Sequence, residues 1–251
     1  MYFKEYTHSI ISFVVNGDKR KWLRLSYALK GKKGLEIGGP STFFRHGGYF
    51  PIYLFARKID VVNYSNETVW EGTIAEGENY HYYKGKKGYQ YIGEATDLRE
   101  IKDNFYDFIL SCHNLEHVAN PLKALNEWKR VLKRKGKLIL VLPDKNNTFD
   151  NKREYTRFEH LIEDFHSDVN EADSTHFDEI FRLHDLEKET SAVTRTQLRE
   201  RLSENYLNRC AHHHVFSLPL IKEMLEFCGY KVILQQAVHN LHLVTFAELS
   251  D

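Results

Sequence analysis

The chain has only three cysteines, Cys112, Cys210 and Cys228, and no CxxC pair. So sparse and odd a set excludes a disulfide scaffold and suits a reducing compartment, so a cytoplasmic location is expected. Neither sign of charge is in excess, with 35 Lys+Arg against 35 Asp+Glu. A dedicated nucleic-acid binder carries a basic surplus, so nucleic acid is not an expected partner. Long apolar runs are missing as well. Ile139–Leu142 is typical of those present, far below the ~20 residues of a membrane helix. Lys4, Glu5 and His8 precede any apolar run, so no signal peptide is expected. Internal repeats and low-complexity tracts are absent. What remains is ample core material, with 42% hydrophobic and 14% aromatic residues. At ~100–200 residues per domain, 251 residues suggest a single domain, 1–251, with an elaborate insertion.

Residues 1–33 are basic, with eight Lys/Arg against Glu5 and Asp18. Trp22, Leu23, Leu25 and Leu29 could share one face of an N-terminal helix. From Gly34 short apolar runs alternate with helical stretches: Leu35–Ile37, Ile59–Val62, Tyr89–Ile92, Phe108–Leu110 and Leu138–Leu142. Such runs read as strands buried on both faces, and their alternation with helices implies a doubly wound, parallel sheet. One helix is well marked from Pro121 to Lys135, with Asn120 as its cap. Gly136 is expected to end it in a left-handed turn. Residues 34–142 thus form a core, and 143–215 interrupt it. The interruption holds seven of the fourteen histidines, and residues 158–190 carry eleven Asp/Glu against Arg182 and Lys188. A mainly helical, acidic, His-rich lid is expected there. Residues 216–251 close the fold with a helix capped by Ser217. Two strands, Lys231–Val238 and Leu241–Leu249, then join at His239-Asn240 as a hairpin.

The most informative segment is Gly34-Leu-Glu-Ile-Gly-Gly-Pro-Ser41, a buried strand ending in a glycine-rich turn. Ligands of open α/β sheets bind at such strand ends, where glycine lets the backbone approach closely. The spacing is wrong for a nicotinamide dinucleotide, which needs G-x-G-x-x-G.

Across several motifs the chain resembles the class I S-adenosylmethionine-dependent methyltransferases. Leu35-Glu36-Ile37-Gly38-Gly39 is similar to their first motif, an acid followed by G-x-G, with Pro40 in place of the last glycine. Val61-Val62-Asn63 is similar to the end of their second strand, Glu94-Ala95-Thr96-Asp97-Leu98 to their adenine-binding turn, and Tyr106–Ser111 to their fourth strand. The resemblance implies a Rossmann-like, mostly parallel, seven-stranded sheet with an antiparallel C-terminal hairpin. It implies S-adenosyl-L-methionine as cofactor, held by Glu36, Gly38, Gly39, Asp60, Asn63, Ala95, Thr96, Asp97 and Ser111. The Pro40 variant resembles enzymes of bacterial capsule and lipopolysaccharide gene clusters, with capsule phosphoramidate O-methyltransferases as suggested relatives.

Methyl transfer needs the two reactants held in line, and an oxygen acceptor needs a base or a metal. Candidates for catalysis are His113, Asp144 and His214. His113, Glu116 and His117 would share a helix face at i, i+3 and i+4 and are competent ligands for a divalent cation. Ubiquinone O-methyltransferases, a related set, carry a carboxylate-x-x-Glu-His in this place and bind a metal with it. Within His212-His213-His214, alternation would let His212 and His214 cooperate while His213 points away. His160 and Asp164 have the spacing of a base and its orienter. The expected activity is O-methylation of a small polar acceptor containing sugar or phosphate. Two rivals stand beside it: a non-catalytic methyltransferase-like scaffold in glycan assembly, and a His-metal hydrolase suggested by the H-x-x-E-H string.

Overall fold

A computed structural model describes residues 17–68, 70–189 and 192–250. In chain order these form α1 (Gly17–Ala28), β1 (Lys33–Ile37), α2 (Ile52–Phe55), β2 (Lys58–Asn63), β3 (Glu67–Thr68) and β4 (Gly72–Thr73). Next come β5 (Gly77–Tyr83), β6 (Lys86–Ile92), β7 (Tyr106–Cys112), α3 (Pro121–Val131) and β8 (Leu132–Pro143). The insertion contributes α4 (Phe158–His166), α5 (Phe177–Leu183), α6 (Arg195–Ser203) and α7 (Asn205–Asn208). The chain closes with α8 (Leu218–Phe227), β9 (Tyr230–Val238) and β10 (His242–Leu249).

Eight strands form one sheet in the order β5-β6-β2-β1-β7-β8-β10-β9. The five central strands are parallel, and β10 runs antiparallel to both β8 and β9. The expected seven strands are all present. The eighth, β5, lies antiparallel on the edge of β6. Its sequence GENYHYY has aromatic residues rather than a continuous apolar run, so it lacks the mark of the central strands. The hairpin turns where expected, with His239 at φ 53° and Asn240 at φ 54°, the conformation of a two-residue turn.

The sheet is covered on both faces. On one, α3 packs Leu122, Leu125, Trp128 and Val131 against Leu35, Ile109 and Leu140, together with α8. On the other, Trp22 of α1 and Leu29 just beyond it meet an aromatic group that includes Phe44, Phe50 and Tyr53. The Asn120 side chain caps α3, accepting from the Lys123 N–H at 3.0 Å. The helix ends earlier than expected, at Val131. Lys135 rather than Gly136 takes the left-handed conformation, at φ 57°. A Cβ on Gly136 would lie 2.7 Å from the Lys133 carbonyl oxygen, so glycine is needed there for room. The part of the N-terminal segment before residue 17 lies outside the described residues.

Within 143–215, α4 joins the main core through Leu161. Helices α5 and α6 bury Ile180, Leu198 and Leu202 with Ala211 in a small core of their own. The insertion then docks over the carboxyl ends of the strands. The Tyr64 hydroxyl donates to the Leu207 carbonyl, and the His213 N–H donates to that of Glu116. Among the described residues, no helix is long and apolar enough to cross a membrane.

Trp128 is fully buried and its indole N–H donates to the Ala95 carbonyl at 3.0 Å. Trp128→Ala is expected to cost about 3–5 kcal/mol, the usual penalty of a large aromatic cavity, read from the midpoint of denaturant unfolding.

Candidate active site

Chain order sends β2 and β6 to one side of β1 and β7 to the other. Such a reversal opens a crevice at the carboxyl ends of the strands, here between the turns after Ile37 and Cys112. Glu36, the last acid of β1, is buried beneath the first turn. Its Oε1 accepts from the Ser41 N–H at 3.1 Å and the Tyr53 hydroxyl at 2.8 Å, and its Oε2 accepts from the Tyr80 hydroxyl at 2.6 Å. Burial raises the carboxyl to about 7, against the pull of Tyr80, Tyr53 and the Ser41 N–H. Glu36 therefore supports the turn and has no free oxygen to present. Above it the backbone has no spare room. A Cβ on Gly39 would meet the Glu36 carboxyl carbon at 2.3 Å. Gly38 has φ +72°, and a Cβ there would lie 2.5 Å from Asn114 Nδ2.

Around this turn three polar atoms are buried without a hydrogen-bond partner in the chain: Asn63 Oδ1, Ser111 Oγ and Asn114 Oδ1. Orphaned polar atoms in a native fold call for an explanation, and a ligand is one. Asn63 ends β2, next to the Gly39 carbonyl at 3.4 Å. The crevice has two compartments. The outer one, about 890 Å³, runs from Gly38 and Pro40 past Arg45 and Glu71 to His113, His117 and His242. The inner one lies between Val62, Asn63, Gly93 and Ala95 and is only about 40 Å³. Trp70 and His117 line both. The inner wall is drawn together by Arg209, which pairs with Glu94 at 2.7 Å and Glu171 at 2.9 Å.

His113, at φ 49°, turns its ring toward β10, where Nε2 lies 2.9 Å from His242 Nδ1. Burial, with His242 beside it, lowers His113 to about 3, so it is neutral near pH 7. Neutral imidazole is the form that accepts a proton. His242 was not singled out from sequence. It begins a strand 129 positions away, and its only local signal is its place beside the hairpin turn.

Glu116, His117 and His212 bring one ligand atom each within 4.8 Å of one another. The His212 ring holds Asp150 through Nδ1 at 2.5 Å, and Arg153 fixes Asp150 at 2.9 Å. His117 Nδ1 lies 3.2 Å from the Ala211 carbonyl. Each ring thus has its outer nitrogen engaged, which leaves the other free to coordinate. Burial raises Glu116 to about 7. His113 is not part of this set. Residues 115–117 form a single 3₁₀ turn, so the shared helix face expected of positions 113, 116 and 117 does not exist. The same turn removes the helical H-x-x-E-H arrangement of a peptidase.

Five further sequence candidates lie elsewhere. Asp60 pairs with Leu35, well before the end of β2, and serves Tyr106 at 2.8 Å and Lys33 at 2.9 Å. Asp97 is tied to Arg99, and with Thr96 it faces a separate surface groove beside α3. Ala95 alone of that turn's candidates lines the inner compartment. Asp144 caps the next turn, accepting from the Asn146 N–H at 3.0 Å, and does not line the crevice. His214 is buried inside the insertion, 3.0 Å from the Ala119 carbonyl. His212 and His214 thus serve different clusters rather than one.

Residues 59–140 match the family model described as a methyltransferase domain. The match covers less than half of the chain. The fold is similar to that of solved S-adenosylmethionine-dependent methyltransferases. A methyltransferase of this kind from Mesorhizobium loti superposes over 92% of this chain and 97% of its own, with a TM-score of 0.53 at 10% identity. A chain of the complex between the Haloferax volcanii Trm112 methyltransferase activator and a methyltransferase is also similar. It covers 91% of this chain and 88% of its own, with a TM-score of 0.50 at 12% identity. Two uncharacterized proteins of Methanocaldococcus jannaschii match in part. One is 56% identical over 47 residues, 19% of this chain and 20% of that protein. The other is 37% identical over 71 residues, 27% of this chain and 34% of that protein. The matches therefore span only a fifth and a third of those relatives' lengths.

Two outcomes test this site. Gly38→Ala combines a strained φ with a clash against Asn114, so it should weaken binding of S-adenosylhomocysteine by at least tenfold in calorimetry. His113 stays neutral in the fold below its ordinary value of 6.5, whereas the unfolded chain takes up a proton. Its contribution to stability is therefore present above pH 6.5 and drains away as pH falls toward 3. His113→Asn, which suits the left-handed backbone, should flatten the loss of unfolding free energy between pH 7.5 and 5.

Proposed function

We infer that this domain transfers a methyl group from S-adenosyl-L-methionine to an oxygen of a small anionic acceptor, of the sugar- or phosphate-containing class used in surface polysaccharide assembly. The observation that carries the reading is the glycine turn of Gly38 and Gly39, set against the unpartnered Asn63 Oδ1. The residues fit the cofactor. Glycine admits its methionine portion against the backbone, Asn63 can accept from its ribose, and Ala95 with Val118 offers an apolar edge to its base. When bound, the cofactor supplies a methyl group on a positively charged sulfur, ready for displacement.

The chain's own residues would do the rest. Lys19 and Arg45 face the outer compartment with His46, His113, His117, His239 and His242, against the single acid Glu71. That surplus of cationic and imidazole groups favours an acceptor carrying negative charge. His113, neutral and held by His242, can accept a hydrogen bond from the acceptor's hydroxyl and orient it. Glu116, His117 and His212 could hold a divalent ion, which would lower the acceptor's pKa. The insertion acts as a lid over the inner compartment.

The small inner space also favours a second reading, a methyltransferase-like scaffold that binds no cofactor. Trp70 separates the two. It is 42% exposed, whereas Trp22 and Trp128 are fully buried, so a ligand entering the inner compartment must displace the one accessible indole among the described residues. S-adenosylhomocysteine at ~100 times its dissociation constant should stabilise the fold by about 2.7 kcal/mol and change Trp70 fluorescence, a signal lost in Trp70→Phe. A folded protein showing neither effect would leave the scaffold in possession.

A further inference from the structure

The insertion gathers a second set of imidazoles, apart from the crevice. His160 lies on α4, and Asp164 follows one helical turn later on the same face. His176 immediately precedes α5, and His214 lies in the extended segment before α8. The topology brings all four together. His160 Nε2 stands 2.8 Å from His176 Nε2 and 3.4 Å from Asp164 Oδ2. His214 Nε2 is 3.6 Å from the same carboxylate oxygen. One nitrogen from each of the three rings falls within 4.8 Å of the others.

We propose that His160, Asp164, His176 and His214 form a structural site for a divalent transition metal of the zinc class, which fastens the insertion to the end of the sheet.

Three observations carry this beyond a chance cluster. First, the partners of the outer nitrogens are built in. His176 Nδ1 lies 3.3 Å from Asp173 Oδ2, and Asp173 is itself held by the Thr175 hydroxyl at 2.8 Å. A carboxylate at the far nitrogen is what fixes the tautomer and orientation of a metal-bound histidine. His214 has the Ala119 carbonyl at Nε2, 3.0 Å away.

Second, the inner valences are unfilled. Asp164 Oδ2 and His214 Nδ1 are buried with no hydrogen-bond partner in the chain. Two imidazole nitrogens at 2.8 Å can share only one proton, so at least one lone pair points into the group. A buried carboxylate costs free energy unless a cation joins it. Among the described residues no lysine or arginine is paired with Asp164: the groups acting on it most are His160, His176, Asp173 and Glu163.

Third, the donor set is chemically selective. Three imidazole nitrogens with a carboxylate beside two of the rings are donors of the kind zinc takes, whereas magnesium and calcium prefer oxygen alone. Access is through His160, whose side chain is 36% exposed while His214 is fully buried. The four ligands come from three separate segments. A metal there would join α4, the start of α5 and the strand-like run into α8. It would also hold the Ala119 loop, against which His214 rests.

The site is separable from the crevice by substitution. Protein stripped with a chelator is titrated with Co²⁺, whose visible d–d band reports tetrahedral nitrogen–oxygen coordination, and with Zn²⁺ against a competing indicator. Thermal midpoints are read in parallel. Wild type should bind at this site with a raised midpoint, and the double variant His117→Gln, His212→Gln should keep the band. His160→Gln with His176→Gln should lose it, and Asp173→Asn should weaken Zn²⁺ binding about 10–100-fold. His160 is partly exposed, so His160→Gln alone tests the site without risk to the fold. A band and Zn²⁺ affinity unchanged in a folded His160→Gln, His176→Gln variant would overturn the proposal. So would a wild-type protein whose thermal midpoint does not respond to Zn²⁺.

Discussion

The buried carboxylate of Glu36 organises the end of the sheet. A carboxylate taken from water must be supplied with donors or it becomes a large cost. Here the donors are two phenols and a backbone N–H, drawn from α2, β5 and the turn itself. Satisfying one group therefore fixes the relative placement of four segments. It also explains why the turn has to be glycine at position 39, where any side chain would enter the same space. The acid that sequence comparison would assign to ligand contact acts instead one layer down. It sets the shape of the surface that a ligand meets.

The insertion solves a related problem by other means. It buries little apolar surface of its own, with four residues in its small core. It relies on polar ties. Arg153, almost fully buried, donates to Asp150 and to the carbonyls of His212 and His213. Arg209 spans Glu94 and Glu171. Buried pairs of this kind give a defined arrangement more than they give stability, since desolvation cancels much of their attraction. The ties are not polar alone, since Leu161 of α4 belongs to the main core.

The central strands were legible because each is a continuous apolar run, and the hairpin because His239-Asn240 tolerates positive φ. The edge strand β5 was not, since its exposed face carries polar residues and its buried face carries tyrosine. Site residues were legible only as far as register allowed. Asp60 and Asn63 are three positions apart and chemically alike as ribose partners, but only the pairing of β2 with β1 shows which one reaches the strand end. His113 was expected on a helix face and lies instead before a single 3₁₀ turn. Its left-handed backbone leaves no trace in sequence, and that angle is what turns it from Glu116 toward His242. Asp144 and Asp97 accept from groups two residues ahead, and such a carboxylate looks like any other acid until the turn is seen.

The three consecutive histidines carry a constraint of a different kind. His212 faces Asp150 and Glu116, His213 lies with Asp173 and Asn205, and His214 enters the group of His160 and His176. Each ring reaches its own surroundings only because the backbone at this point is extended and in one frame. A single residue gained or lost between Arg209 and Ser217 would move all three at once into places that fit none of them. Chain length in this stretch is thus fixed more tightly than composition. Variation among related chains should gather in the loops around α5 and α6, where no such frame has to be kept.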